Sequence, residues 1–85
     1  MRKDWLITFR SITFAQKAER QLKKDGIACV IQKTPKGLSE RGCSYSLRIP
    51  ETEGTEAIFR LKQQQIPYGK LFCLSETGVW EAKEK

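Results

Sequence analysis

The order of apolar patterns along this chain of 85 residues limits its fold more than any other feature. Residues 5–10 read as a strand whose odd-numbered side chains, beginning with Trp5, share one face. An amphipathic helical pattern follows as far as Gly26, and the nearly continuous apolar run over residues 27–32 predicts a second strand. The chain therefore opens with strand, helix and strand.

The second half of the chain repeats this order. Strict alternation over residues 45–49 predicts a third strand, and Pro50 ends it. A second helix is predicted from about residue 52 to residue 65, followed by strands over residues 70–75 and 79–83. Two successive strand-helix-strand units of this length are typical of a small α+β domain.

This element order is that of the ferredoxin-like sandwich, an α+β fold. Its antiparallel sheet has the strand order 4-1-3-2 and carries both helices on one face. We expect the additional fifth strand to extend the sheet edge beyond strand four. No linker or low-complexity segment interrupts the sequence, so residues 1–85 are predicted to form a single domain.

The first helix carries signals at both ends. Ser11 or Thr13 is expected to cap its start, and Thr13 with Gln16 matches a capping box. Phe14 begins the apolar stripe and is expected on the buried face. Gly26 follows two lysines, which predicts that it closes the helix in the left-handed conformation.

The positive charge of the chain is concentrated in its first half. The net charge is +6, and residues 1–50 hold 11 lysines and arginines against four acidic residues. This asymmetry is compatible with a surface for an acidic partner, a small anion or nucleic acid. It is equally compatible with a solvated, lysine-rich surface that binds nothing in particular.

Thiol chemistry is the main chemistry that this composition leaves open. The chain has no histidine, so the commonest general base and the commonest metal ligand are missing. Cys43 lies in a polar stretch, residues 33–45, between two predicted strands, and it is the best candidate nucleophile. Cys29 and Cys73 fall inside apolar strands and are predicted to be buried and unreactive.

The spacing of the three cysteines also indicates a compartment. Their number is odd and no CxxC pair occurs, so neither a disulfide framework nor a zinc site is expected. Free thiols fit a reducing environment, and the N-terminus has no apolar signal segment. We therefore expect a soluble cytoplasmic protein with no cofactor, no bound metal and no membrane association.

Short motifs spread over residues 5–74 carry a family resemblance. They are the run 6–11, the residues Ala15, Lys17, Ala18 and Glu19, the run 24–27, Pro35, the pair Leu38 and Ser39, the pair Gly42 and Cys43, and Arg48. Together they resemble a small bacterial family of selenium/sulfur carrier protein-like sequences. In that family a Cys-Gly pair precedes the third strand, whereas this chain has the reversed order Gly42-Cys43.

The resemblance implies a carrier that holds sulfur or selenium on Cys43 as a persulfide. Its partners would be sulfur or selenium donor and acceptor proteins, and whether it is an enzyme is left open. Such a carrier needs a thiolate, and a positive charge as close as Arg41 favours the thiolate. The candidate substrate-binding or anion-binding residues are Lys36, Ser39, Gly42 and Arg48.

The sequence also bears on three other interpretations. Cys43 and the neighbouring cations form no site if the cysteine is only a small residue at a strand start. A second alternative is a non-catalytic adaptor or homodimer that uses the sheet face or the edge strand containing Val30. RNA binding on the open sheet face is not expected, because Thr8, Ser46 and Arg48 are predicted to face outward there instead of aromatic side chains.

Overall fold

The computed structural model describes residues 4–34, 45–74 and 77–82. Its strands and helices, in chain order, are β1 (Asp4–Phe9), α1 (Ile12–Lys24), β2 (Val30–Lys33), β3 (Tyr45–Pro50), α2 (Glu51–Gln63), β4 (Leu71–Leu74) and β5 (Trp80–Ala82). The class is therefore α+β, with two helices and a five-stranded antiparallel sheet, and it is compatible with a ferredoxin-like fold.

The strand order of the sheet is 2-3-1-4-5. It differs from the four-strand order 4-1-3-2 because β5 pairs with β4 and becomes the outer strand on that side. Read from β4 towards β2, the remaining strands are adjacent as β4, β1, β3 and β2. β1 is central, with Ile7 opposite Leu47 on one side and opposite Leu71 on the other.

Both helices pack on one face of this sheet. The odd-numbered side chains of β1 join Leu47 and Ile49 of β3 and the buried residues of α1 and α2 in one hydrophobic core. The two helices contact each other and both contact β1 and β3. This agrees with the alternation in β1, because successive side chains of a strand point to opposite faces.

The opposite sheet face is more buried than the sequence indicates. Thr8 and Ser46 were expected to face outward, and both lie on this face, but both are buried. The Thr8 hydroxyl accepts a hydrogen bond from the Lys70 backbone N–H at 2.7 Å, and the Ser46 and Thr34 hydroxyls are 2.7 Å apart. Burial of these polar atoms is tolerated because each has a hydrogen-bond partner.

The N-terminus of α1 is capped by Ser11, one of the two predicted caps. The Ser11 hydroxyl accepts a hydrogen bond from the Phe14 N–H at 3.2 Å. The capping box assigned to Thr13 and Gln16 was wrong, because both residues are already helical. Phe14 was also misplaced, since 36% of its surface is exposed while Ala15 takes the buried position beside it.

Both helices end in the same backbone motif. Gly26 has φ of +80°, and the Ile27 N–H donates to the Leu22 carbonyl at 2.8 Å, which is a Schellman motif. α2 ends two residues earlier than predicted, and Gln65 occupies the equivalent left-handed position with φ of 59°. A residue with a Cβ is strained in this conformation, whereas glycine is not.

A glycine also fixes the contact between α2 and β1. Gly54 is buried in the helix, and the Trp5 indole lies directly against it. A Cβ added to Gly54 would lie 2.6 Å from Cζ3 of Trp5 and even closer to two other ring carbons. The absence of a side chain therefore determines how closely α2 approaches the sheet.

Candidate functional site

The predicted thiol site falls outside the described residues. Cys43, Arg41, Lys36, Ser39 and Gly42 all belong to residues 35–44, of which the structure gives no description. Their roles therefore stay predictions.

The flanking strands show where this segment joins the fold. Lys33 of β2 is the register partner of Tyr45 of β3, and Tyr45 is also the partner of Phe9. The two ends of the Cys43-containing segment are thus attached at one end of the sheet. The exposed cations Lys33 and Arg10 lie at or next to these strand ends.

Cys29 is a buried thiol with little tendency to ionise. Its Sγ lies 3.8 Å from the Glu19 carbonyl oxygen, on the approach to β2. Burial raises the pKa of the Cys29 thiol to about 11, and the negative charges of Glu19 and Glu53 act in the same direction. Lys23 opposes them only partly. The prediction that Cys29 is buried was confirmed, and the raised pKa agrees with the prediction that its thiol is unreactive.

Cys73 differs from the prediction made for it. It lies in β4 opposite Trp5 and packs against the core, but it is half-buried and not fully enclosed. Its partner on the other side is Glu81 of β5, a strand of three residues at the edge of the sheet.

Arg48 is engaged in contacts on the open sheet face. Its Nε donates to Oδ2 of Asp4 at 2.7 Å, and its guanidinium carbon lies 5.5 Å from the centre of the Trp80 ring. The register places Arg48 opposite Leu6, and Arg10 follows the end of β1, so the two arginines do not form a pair. The sequence did not reveal these partners, because Asp4 and Trp80 are distant along the chain.

The Arg48 and Trp80 side chains meet on the open face. Their strands, β3 and β5, are separated by β1 and β4, so this contact spans two strands of the sheet. Leu6 is fully buried there, and Phe72 is nearly so. Among the residues that the structure describes, this face therefore offers no row of exposed aromatic rings of the kind that single-stranded RNA stacks on.

A shallow pocket of about 80 Å³ lies at the start of α1. It is lined by Arg10, Phe14, Pro67 and Tyr68. The last two residues belong to the connection between α2 and β4, and sequence reasoning did not find this pocket. No local pattern joins residue 10 to residue 68; only the antiparallel pairing of β1 with β4 brings them together.

The comparisons identify a family. The family described as "Putative Se/S carrier protein-like" matches residues 4–73, which is most of the chain. No curated protein and no solved structure matches the sequence significantly. Across residues 4–34, 45–74 and 77–82, neither helix is long and apolar enough to cross a membrane.

Proposed function

The chain belongs to the Se/S carrier protein-like family, and we propose that it carries sulfur or selenium on the thiol of Cys43. The residues matched by the family, 4–73, include both strands that flank the Cys43-containing segment. A carrier role implies one partner that donates the sulfur or selenium and another that accepts it. Use of Cys43, formation of a persulfide and location in the cytoplasm are our proposals.

We choose Cys43 mainly because the thiol of Cys29 has a raised pKa. With a pKa near 11, Cys29 is almost entirely protonated at neutral pH, and the thiolate is the form that attacks sulfur. Cys73 is held in β4 between two paired strands and packs against the core. Cys43 is the one cysteine in a polar segment between strands.

The proposed transfer needs no oxidant or reductant. The Cys43 thiolate attacks the outer sulfur of a donor persulfide, a new S–S bond forms, and the donor leaves as its thiolate. An acceptor thiolate then attacks the outer sulfur on Cys43 and releases the Cys43 thiolate. Arg41 assists by favouring the charged form of the thiol, and Lys33 and Arg10 add positive charge at the flanking strand ends.

The direct test is sulfur loading followed by mass spectrometry of the native protein. Incubation with inorganic polysulfide is expected to add the mass of one sulfur atom, and a reductant is expected to remove it. Cys43→Ser should abolish the adduct, whereas Cys73→Ser, the matched control, should retain it. An adduct that maps to Cys73, or survives in Cys43→Ser, would contradict the proposal.

The anion-binding residues are tested separately. Arg41→Ala should raise the pKa of the Cys43 thiol and slow loading, because removing a nearby positive charge disfavours the thiolate. Substitutions of Lys36, Ser39 and Gly42 should slow loading without abolishing it. Arg48→Gln should have the smallest effect, since this guanidinium already pairs with Asp4.

A protein-binding role for the β2 edge is the second candidate. Among the described strands β2 pairs only with β3, and 61% of the Val30 surface is exposed. An exposed strand edge with an apolar side chain is suited to pairing with another chain or a second copy. Sedimentation of wild type and Val30→Lys distinguishes the two: a dimer that dissociates in the variant supports this role, and a monomer at all concentrations excludes homodimerisation.

A further inference from the structure

We propose that the pocket formed by Arg10, Phe14, Pro67 and Tyr68 is a binding site for a short aliphatic carboxylate. It lies at the start of α1, and of its residues only Arg10, through its positive charge, is also part of the thiol chemistry proposed for Cys43. The proposal depends on the wall of the pocket, its charge and its size.

Hydrogen bonds on both sides hold the Pro67 and Tyr68 wall in place. Before it, the Ile66 N–H donates to the Leu61 carbonyl at 3.0 Å. After it, the Gly69 N–H donates to the Thr8 carbonyl at 2.6 Å, continuing the pairing between β1 and β4. Tyr68 also packs against the core. A wall fixed in this way loses little conformational entropy when a ligand binds.

The charge of the pocket comes from Arg10. Arg48 and Arg60 pair with Asp4 and Glu56, whereas Arg10 is exposed and has no carboxylate or hydrogen-bond partner among the described residues. The first turn of α1 contains no acidic residue that could compete with a ligand. A guanidinium group binds a carboxylate through two parallel hydrogen bonds, which favours this anion over a spherical one.

The size and the remaining walls define the body of the ligand. About 80 Å³ is well below the roughly 150 Å³ of a cavity that holds benzene. It is more than the roughly 10–15 Å³ that one water molecule needs in a cavity. Phe14, Pro67 and Tyr68 are apolar neighbours for a short hydrocarbon chain. A carboxylic acid with three or four carbon atoms therefore fits best.

Butyrate is the probe for this site, and backbone amide chemical shifts report its binding. Saturable shifts are expected for the amides of Arg10, Phe14 and Tyr68, and the neutral isostere butyramide should produce none at the same concentration. Arg10→Gln should weaken butyrate binding by about tenfold, because it removes a charge-assisted pair. Arg20→Gln, an exposed arginine of α1 that does not line the pocket, should bind as wild type does.

Two further variants separate this site from the proposed carrier function. Phe14→Ala should weaken binding of butyrate more than binding of acetate, since only butyrate has a chain long enough to contact the ring. Cys43→Ser should bind butyrate normally even if it loads no sulfur. The proposal is overturned if butyrate gives no saturable shifts, if butyramide binds equally well, or if Arg10→Gln leaves the affinity unchanged.

Discussion

Replacing Gly54 with alanine should destabilise the protein, although alanine is the better helix former. In an unconstrained helix interior this change gains about 0.8–1.0 kcal/mol. Here the new methyl group would be forced into the Trp5 ring, 2.6 Å from Cζ3 and nearer still to two other carbons. Trp5 is buried against the core, so the ring cannot turn aside into solvent.

The expected magnitude follows from these two opposing effects. Overpacking of a well-filled core costs about 1–3 kcal/mol, and the rigid ring places Gly54 at the upper end of that range. After the gain in helix propensity is subtracted, the free energy of unfolding should fall by about 2 kcal/mol. For a domain of this size that corresponds to a lower melting temperature by roughly 8–16 °C.

Urea denaturation followed by circular dichroism measures this change directly. Thr55→Ala is the matched control, because it adds alanine at an exposed position of the same helix and should be neutral or slightly stabilising. In a Trp5→Leu background the Gly54→Ala change should cost much less, since the ring is gone. A Gly54→Ala variant as stable as wild type, with an unchanged denaturant slope, would refute the close-contact argument.

The remaining predictions concern a helix end, a thiol and the open sheet face. Gln65→Gly should raise the free energy of unfolding by about 0.5–1 kcal/mol in urea titrations, because it relieves a positive φ, whereas Gly26→Ala should lower it by a similar amount. Alkylation mapped by mass spectrometry should leave Cys29 unmodified in native protein at pH 8. Because its folded pKa is raised to about 11, Cys29 should also make stability fall as pH rises from about 9 towards 11, where the unfolded thiol ionises first. Trp80→Ala should lower the free energy of unfolding by roughly 2 kcal/mol, because it removes a half-buried ring and its contact with Arg48. Glu81→Ala, at the exposed neighbouring position, should have little effect. The helix-end prediction is contradicted if Gln65→Gly and Gly26→Ala change the free energy of unfolding in the same direction. The thiol prediction is contradicted if native Cys29 is labelled, and the sheet-face prediction if Trp80→Ala and Glu81→Ala destabilise the protein equally.

Several features that depend on neighbouring residues were predictable from the sequence, although the capping box and the burial of Phe14 were not. The adjacency of the first four strands was predictable from the element order, whereas the polar contacts that strand pairing creates were not. Gly26 by itself predicts the left-handed residue that ends α1, and the alternation of β1 predicts that Ile7 and Phe9 lie in the core. Gln65 gives no such signal, because its backbone is set by the hydrogen bond from Ile66 to Leu61. Thr8 looked like a surface residue, since nothing local reveals the distant Lys70 backbone that it binds.

The candidate site shows the same division. The polar segment around Cys43 stands out in the sequence, because composition alone marks it. The Arg48 contacts and the Arg10 pocket appear only after β1 has been paired with β3 and β4. The Arg48 contacts and the Arg10 pocket both join residues that are dozens of positions apart, so no sequence motif or side-chain periodicity predicts them.

The central position of β1 governs how the chain is assembled during synthesis. This strand leaves the ribosome before β3 and β4, and its pairing with β4 joins Thr8 to Lys70, 62 positions later. Until then one of its edges is unpaired and Leu6 lacks its neighbour Phe72 of β4. Such long-range pairing makes folding slow and leaves a nascent strand open to aggregation. Ribosome-bound chains ending before residue 71 should therefore depend on chaperones, whereas chains that extend past β5 should not.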